Sequence, residues 1–320
     1  MNFKLRKISG DASFREFFRL KKNKKSTIIV FAKRDKYKNL VVYSIINNIL
    51  NYNKIYAPKL ISNHYKKNFI EISDLGNKSF FNVVLSKKKK INDYKSLIKI
   101  IFQLQKIKIK KKYKLGKFKL KLPVYTLKNL HKESDLFFDW YLKYTLKRGN
   151  LNTIKRVLRT ELTNIYKKLY FKNDTFLHRD FHVSNIMISQ KKIGLIDSQD
   201  AIVGNPLYDV ASLIDDVRIK LSQKLQNELF EFYFKNSKLK SESKEKLKND
   251  FDILSVQRNL KILGIFVRLF KRDKKSNYLK FLPYTWLLLE RRLKNPIFDK
   301  FNILLQKNLP LKRFKKLRKL

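Results

Sequence analysis

The chain has 320 residues, 43% of them hydrophobic, with 25 Phe, 16 Tyr, no Cys, and 75 Lys+Arg against 26 Asp+Glu for a formal net charge of +49. That length and apolar content allow one large domain or two smaller lobes around a packed core, and the lack of cysteine excludes disulfides, thiolate chemistry and Cys-ligated zinc. The charge admits a nucleic-acid or anionic-membrane partner, but Lys far outnumbers Arg and is spread along the chain; with Ile, Asn, Phe and Tyr also plentiful, all encoded by A/T-rich codons, the basicity reads as composition, and nucleic acid is not expected as a partner.

The N-terminal MNFKLRKISGDASF lacks the continuous apolar core of a signal peptide. Leu40 to Tyr52 is the longest uncharged apolar stretch, and Asn47, Asn48 and Asn51 interrupt it. No membrane span is expected, and the cytoplasm is the expected location. Residues 1–34 read as strands, with Ser9 to Ser13 as a turn and the β-branched run Thr27 to Lys33 after a Lys-rich turn. A hairpin with a small-residue turn can lay backbone N–H groups over phosphates. Lys33, closing Val30-x-Ala32-Lys33, is the candidate to reach those phosphates from a strand.

Leu40 to Tyr52 has helical periodicity and is expected to pack on that sheet. It offers no Glu to pair with a strand lysine. Lys59 to Ser62 and Phe69 to Ile72 read as two more strands, and Glu71 to Gly76 as a hinge between lobes. Backbone groups near Glu71 to Ser73 are candidates for an adenine edge, and Gly76 permits the turn. Lys87 to Leu122 carries 15 Lys and one Asp. Its first half, Tyr94 to Lys106, is helical in pattern. Its second half, running on through YKLGKFKLKLPVY, reads as a strand or an extended surface loop, and the whole stretch as either an anion-binding face or a solvated one. Thr126 to Leu146 and Asn152 to Lys172 read as helices. After Asp216 the pattern is helical almost throughout, with an apolar stripe along Lys244 to Phe270.

The most informative stretch lies between, FLHRDFHVSNIMISQKKIGLIDSQDAIVGNPLYDVASLIDD over Phe176 to Asp216. His178-Arg179-Asp180 followed by Asn185 matches H-R-D-x-x-x-x-N, and Asp197 sits on the next strand. Phosphoryl transfer needs a carboxylate to accept the proton of the attacking hydroxyl, and oxygen ligands to hold Mg²⁺ against nucleotide phosphates. Asp180 meets the first need; Asn185 and Asp197 meet the second. A hairpin, Ile186 to Ile188 turning into Ile193 to Ile196, is expected to bring Asp197 back beside the loop. Seven Asp (174, 180, 197, 200, 209, 215, 216) face only Arg179, Lys191 and Lys192 in residues 174–216. Such an acidic island needs compensating cations, and bound Mg²⁺ is the simplest.

The D-F-G and A-P-E of protein kinases are absent: Asp197 is followed by Ser198-Gln199-Asp200, and then comes Gly204-Asn205-Pro206-Leu207-Tyr208-Asp209. That segment resembles the G-x-P-x-x-D of aminoglycoside phosphotransferase-like kinases. Asp11-Ala12-Ser13-Phe14-Arg15-Glu16-Phe17-Phe18-Arg19, Asp74-Leu75-Gly76-Asn77, Phe138-Asp139-Trp140-Tyr141, Asp197-x-Gln199-Asp200-Ala201 and Gln257-Arg258-Asn259-Leu260-Lys261 recur in the same order. They resemble the anomeric N-acetylmuramate and N-acetylglucosamine kinases of peptidoglycan recycling within that family. The resemblance implies an α+β, two-lobed, protein-kinase-like fold, with a β-rich N-lobe over 1–73 and a mostly helical C-lobe over 74–320. It implies ATP and Mg²⁺ as cofactors and a small-molecule sugar as substrate, phosphorylated on its C1 hydroxyl. Asp180 would be the base, with Arg179 beside it, and Asn185 and Asp197 would hold the metal. His178, Asp200 and Asp209 would back them, and Ser13, Lys33, Glu71 and Ser73 would meet the nucleotide. Asp139, Trp140 and Arg258 are the candidates for the sugar. Ser198 stands where such kinases usually carry Phe, so the packing under Asp197 is expected to differ.

Overall fold

A computed structural model describes residues 3–8, 15–22, 25–32, 37–146 and 151–308. Ser13 and Lys33, the candidates for the phosphates, and the turn at Ser9 to Ser13 lie outside the described residues. In chain order the elements are β1 (Phe3–Ile8), β2 (Arg15–Lys22), β3 (Lys25–Ala32), α1 (Tyr37–Tyr52), β4 (Leu60–His64), β5 (Phe69–Ser73), α2 (Phe80–Leu85), α3 (Ile91–Gln105), β6 (Tyr113–Leu115) and β7 (Phe118–Leu120). They continue with α4 (Leu127–Leu136), a π-helix (Phe137–Leu142), α5 (Lys143–Thr145), α6 (Leu151–Tyr166), β8 (Thr175–Leu177), β9 (Ile186–Ser189), β10 (Lys192–Leu195) and β11 (Ile202–Gly204). The last are α7 (Leu207–Ile214), α8 (Gln223–Asn236), α9 (Lys244–Asp273), α10 (Leu282–Arg292) and α11 (Asp299–Asn308).

The backbone gathers into two compact units, 1–123 with 175–203, and 124–174 with 204–320. This grouping by compactness carries 175–203 with the N-terminal residues; it is a different division from lobes at 1–73 and 74–320.

The first unit holds a five-stranded antiparallel sheet in the order β1-β2-β3-β5-β4. Strand period explains which face is covered: Ile28, Val30 and Ala32 alternate along β3 and are all buried. Helix α1 is buried on more than one side, through Leu40, Tyr43, Ile46, Asn47 and Leu50. It packs on the sheet and also against the short turn Ser198–Asp200, which accounts for its mostly apolar sequence. The β9–β10 hairpin forms with Ile186 paired to Leu195. Its turn residues Gln190 and Lys191 both have positive φ, 49° and 61°, the geometry that matches strand twist in a two-residue hairpin. Leu195 N–H donates to the Tyr56 carbonyl and Ile188 N–H to the Lys78 carbonyl, tying the hairpin to both segments. The 113–125 stretch forms the short β6–β7 hairpin, turning at Gly116 with φ 53°.

The second unit is built around α9, 30 residues long and buried along most of its middle. Helices α4, α7 and α10 and the π-helix all pack against it. Inside the π-helix, Phe137 stacks on Tyr141 at 5.3 Å, and the Trp286 indole N–H donates to the Tyr141 hydroxyl at 2.6 Å. Gly264 of α9 is where α4 comes closest: a Cβ there would lie 2.2 Å from the Leu136 carbonyl oxygen. Buried charge is paired within this unit, Arg292 holding Asp215 at 2.7 Å. Asp250 accepts the Tyr170 and Phe171 N–H groups and the Asn205 amide.

Gly264→Ala should therefore destabilise the protein. Alanine improves helix propensity by about 1 kcal/mol. A methyl pressed into a backbone carbonyl cannot rotate away, and overpacking of this kind costs about 3 kcal/mol. The net expectation is a loss of about 2 kcal/mol, read as a lower midpoint in urea denaturation; an unchanged or raised midpoint contradicts the close approach.

Candidate active site

Strand β8 delivers the chain to His178, which is buried. Its Nε2 lies 3.1 Å from the Ile196 carbonyl. A carbonyl only accepts, so Nε2 carries the proton. That bond hangs the residue before Asp197 on the residue two before Asp180. Asn185 makes the second link. One end of its amide is 3.1 Å from the Asp180 carbonyl and 3.2 Å from His182 Nε2. The end that faces a carbonyl must be the nitrogen, which leaves the amide oxygen as the acceptor on the other side. The third link is Ile196 N–H donating to the Asn185 carbonyl at 3.0 Å. Three short bonds thus gather the segments bearing residues 180, 185 and 197.

Asp197 and Arg179, the residue before Asp180, are left-handed, with φ 64° and 72°. Asp tolerates this region better than a long side chain does, so Arg179 is the more strained. Asp180 is half-buried, and among the described residues its carboxylate has no hydrogen-bond or ion-pair partner. That suits a group that must accept a proton.

Asp197 is held differently. Arg15, at the start of β2, places one guanidinium nitrogen 2.5 Å from Asp197 Oδ1 and another 2.5 Å from Gln199 Oε1. The Arg15 side chain is 3% exposed and that of Asp197 36%. The guanidinium lies over the rings of Tyr43, 5.5 Å from its centroid, and Phe17, 5.7 Å. Burial pushes the Tyr43 phenol up to about 12, against the opposing pull of Arg15, so the ring stays neutral. Ser198 donates to Asn47 Oδ1 of α1 at 2.7 Å. A buried hydrogen bond to that helix thus takes the place of an aromatic plug under Asp197.

Among the described residues no three His, Asp or Glu side chains converge as a metal cluster. The protein ligands on offer are the Asp197 carboxylate, whose second oxygen has no partner among the described residues, and the Asn185 amide oxygen. Two hard oxygen donors suit Mg²⁺, which is usually held by one or two carboxylates together with nucleotide. Part of the charge of the acidic stretch is met by arginines outside it. Three of its seven Asp meet one: Asp197 through Arg15, Asp215 through Arg292 and Asp216 through Arg218. They come from elsewhere in the chain, which local counting over 174–216 misses.

The remaining candidates are spread over both units. Arg179 is 3.9 Å from the exposed Asp200, which also accepts the Gln199 amide at 2.9 Å. Glu71 accepts from Thr27 at 2.6 Å, inside the sheet. Ser73 donates its N–H to the Lys59 carbonyl at 2.9 Å, so that N–H is spent. In the second unit, Asp209 is buried in the first turn of α7. Asp139 is exposed in the π-helix and paired with Lys155 at 2.6 Å; Trp140 beside it is half-buried. The buried Arg258 lies 5.4 Å from the Tyr208 ring centroid. Sequence reasoning gave Arg15 no role beyond its place in the segment 11–19. The signal was there: Arg15, Phe17 and Arg19 share one strand face, and arginine is scarce beside lysine in this chain.

Arg19 performs a parallel task on the segment after β5. It grips Asp74 with two nitrogens, at 2.6 and 3.0 Å, and also reaches Asn77 and the Gly76 carbonyl. Ser26 and the Gly76 N–H donate to the same carboxylate. Burial disfavours the Asp74 charge, but the bonds from Arg19, Ser26 and Gly76 together outweigh it and hold the carboxyl below its ordinary 3.8. A depressed carboxyl stabilises the fold fully above its unfolded value, and that contribution is lost as pH falls through the lower folded value. Asp74→Asn should therefore lower stability at pH 7 and lose part of the acid-limb dependence below about pH 4. Urea midpoints of both proteins between pH 3 and 7 test this; parallel curves would exclude it.

A model of the phosphotransferase enzyme family matches residues 4–242. The chain is 25% identical over 286 residues to a Neisseria meningitidis serogroup B protein named N-acetylmuramate/N-acetylglucosamine kinase, covering 88% of this chain and 83% of that one. It is 27% identical over 290 residues to a Pseudomonas aeruginosa protein of the same name, covering 88% and 81%. Among solved structures, an amicoumacin kinase complex superposes with a TM-score of 0.64 at 12% identity, covering 94% of this chain and 91% of that one. A Plasmodium vivax ethanolamine kinase gives 0.61 at 15% identity, covering 93% and 84%. These structures share the protein-kinase-like fold, with an N-terminal antiparallel sheet and a helical C-terminal part. The chain belongs to the phosphotransferase enzyme family.

Proposed function

We propose that this protein transfers the γ-phosphate of ATP to the C1 hydroxyl of an N-acetylated amino sugar of the N-acetylmuramate or N-acetylglucosamine type. The observation that carries the reading is the kinship with kinases of that name over 88% of the chain. The Asp180 carboxylate, with no partner among the described residues, in a loop tied to Asn185 and to the residue before Asp197, gives that kinship a chemistry. Asp180 takes the proton of the sugar hydroxyl as its oxygen bonds to the γ-phosphorus and the bond to the β-phosphate oxygen breaks. ADP leaves, and the proton passes from Asp180 to solvent. The Asn185 amide nitrogen on the Asp180 carbonyl keeps the base loop in place, while its oxygen, with Asp197, would hold the divalent cation. Mg²⁺ there would neutralise charge on the phosphate oxygens.

The same reading assigns the phosphates to Ser13 and Lys33, the nucleotide base to the hinge near Glu71 and Ser73, and buttressing of the loop to His178, Arg179, Asp200 and Asp209. It keeps Asp139, Trp140 and Arg258 as candidates for the sugar and the lobe boundary near Ser73. ATP as phosphate donor places the reaction in the cytoplasm.

Pure protein incubated with ATP, Mg²⁺ and a panel of N-acetyl sugars, aminoglycosides and amino alcohols tests the substrate class. A sugar 1-phosphate is the expected product; turnover on an amino alcohol or aminoglycoside alone rejects the sugar. Asp180→Asn should lower kcat by about 10³-fold, in the range of a lost general base, with nucleotide binding largely intact. Near-full activity in that variant would remove Asp180 from the base role.

A further inference from the structure

We propose that Arg15 is a positioning residue that makes Asp197 receptive to a divalent cation arriving with nucleotide, in preference to the bare cation. The inference rests on Asp197 as metal ligand in the reading above and goes beyond it in assigning this selectivity to a residue outside the catalytic stretch.

Three observations carry it. First, Arg15 engages Asp197 by one oxygen only, at 2.5 Å, and spends its other nitrogen on Gln199. The carboxylate is tied back from the buried side, and its second oxygen has no partner among the described residues. Secondly, the guanidinium is itself held. Its side chain is 3% exposed and lies against Tyr43 of α1 and Phe17 of β2. Thirdly, α1 supplies no Glu, the residue expected there to anchor a strand lysine; among the described residues it meets the metal-side turn through Asn47 on Ser198. Arg15 therefore joins the sheet to the metal-bearing turn.

The sign of the effect follows from charge. A fixed guanidinium near Asp197 repels a free divalent cation and competes for Oδ1. A divalent cation bound to a nucleoside triphosphate belongs to a complex of net negative charge. The same guanidinium attracts that complex, while Asp197 stays oriented for it. A brace with no such role would, when removed, weaken both kinds of binding alike.

The test is Mn²⁺ binding followed by electron paramagnetic resonance, with and without AMP-PNP, in the wild type, Arg15→Gln, Arg15→Lys, Gln199→Met and Asp197→Asn. Arg15→Gln should weaken binding of the Mn²⁺–AMP-PNP complex about tenfold, the scale of a lost outer-shell partner. Free Mn²⁺ should bind at least as well as in the wild type. Arg15→Lys should fall between, since one ammonium cannot fork to both Gln199 and Asp197. Gln199→Met should shift the ratio the same way by about threefold, because it removes only one tine's partner. Equal weakening of both forms, or a complex affinity within about twofold of wild type, overturns the proposal. If Arg15→Gln does not fold, an unchanged ratio in folded Gln199→Met overturns it instead. If Asp197→Asn binds Mn²⁺–AMP-PNP like the wild type, it is the metal-ligand reading that has failed, and the proposal falls with it.

Discussion

Arg15 leaves solvent almost completely to reach Asp197, with 3% of its side chain exposed against 36% for its partner. Burying a guanidinium costs several kcal/mol unless geometry and further hydrogen bonds return it. Here the return comes from three sides: a carboxylate, the Gln199 amide oxygen and two aromatic faces. The consequence is directional. Because the arginine comes from β2, the position of Asp197 depends on the sheet as well as on its own hairpin. The β9–β10 pairing, the His178 bond to Ile196 and the Asn185 bond to Ile196 set where the backbone of residue 197 runs. Arg15 sets where its carboxylate points.

The same division of labour recurs through the molecule. Lysine dominates the charge, and its ion pairs are mostly open to solvent, as in Lys7–Glu16, Lys87–Asp93 and Lys244–Glu231. Pairs of this kind contribute little to stability. Buried carboxylates draw on both cations: Arg19 holds Asp74 and Arg292 holds Asp215, while Lys248 reaches Asp252 and Lys261 reaches Glu133. A planar fork that stays charged and sheds water more readily than an ammonium is suited to such places. The high net charge thus says little about the site, where the buried cation on Asp197 is Arg15.

Much of the site was legible from spacing. H-R-D-x-x-x-x-N states a loop in which carboxylate and amide lie five residues apart, and the apolar–turn–apolar pattern of 186–196 states a hairpin that must return to it. Both are local, so periodicity and turn chemistry carry them. The ordered segments from Asp11 to Arg258 identified the family. The compensation of the acidic stretch was not legible, since Arg15 and Arg292 are remote in sequence from their partners. Nor was the π-helix at Phe137–Leu142, which has the composition of an ordinary amphipathic helix. It follows directly on Leu136, where Gly264 lets α9 approach the α4 backbone, and that contact has no trace in residues 137–142.

Sequence by itself determined which side chains are present to do phosphoryl chemistry and which strands, helices and turns carry them, because those properties arise from short-range spacing and backbone preference. It also determined that Asp197 would be followed by Ser198 and not an aromatic. Only tertiary structure decided what that serine does, in bonding Asn47, and which of many cations stands behind Asp197. Long-range pairing depends on which buried face meets which, and a guanidinium 182 residues from its carboxylate is chosen by the sheet and α1 closing around both.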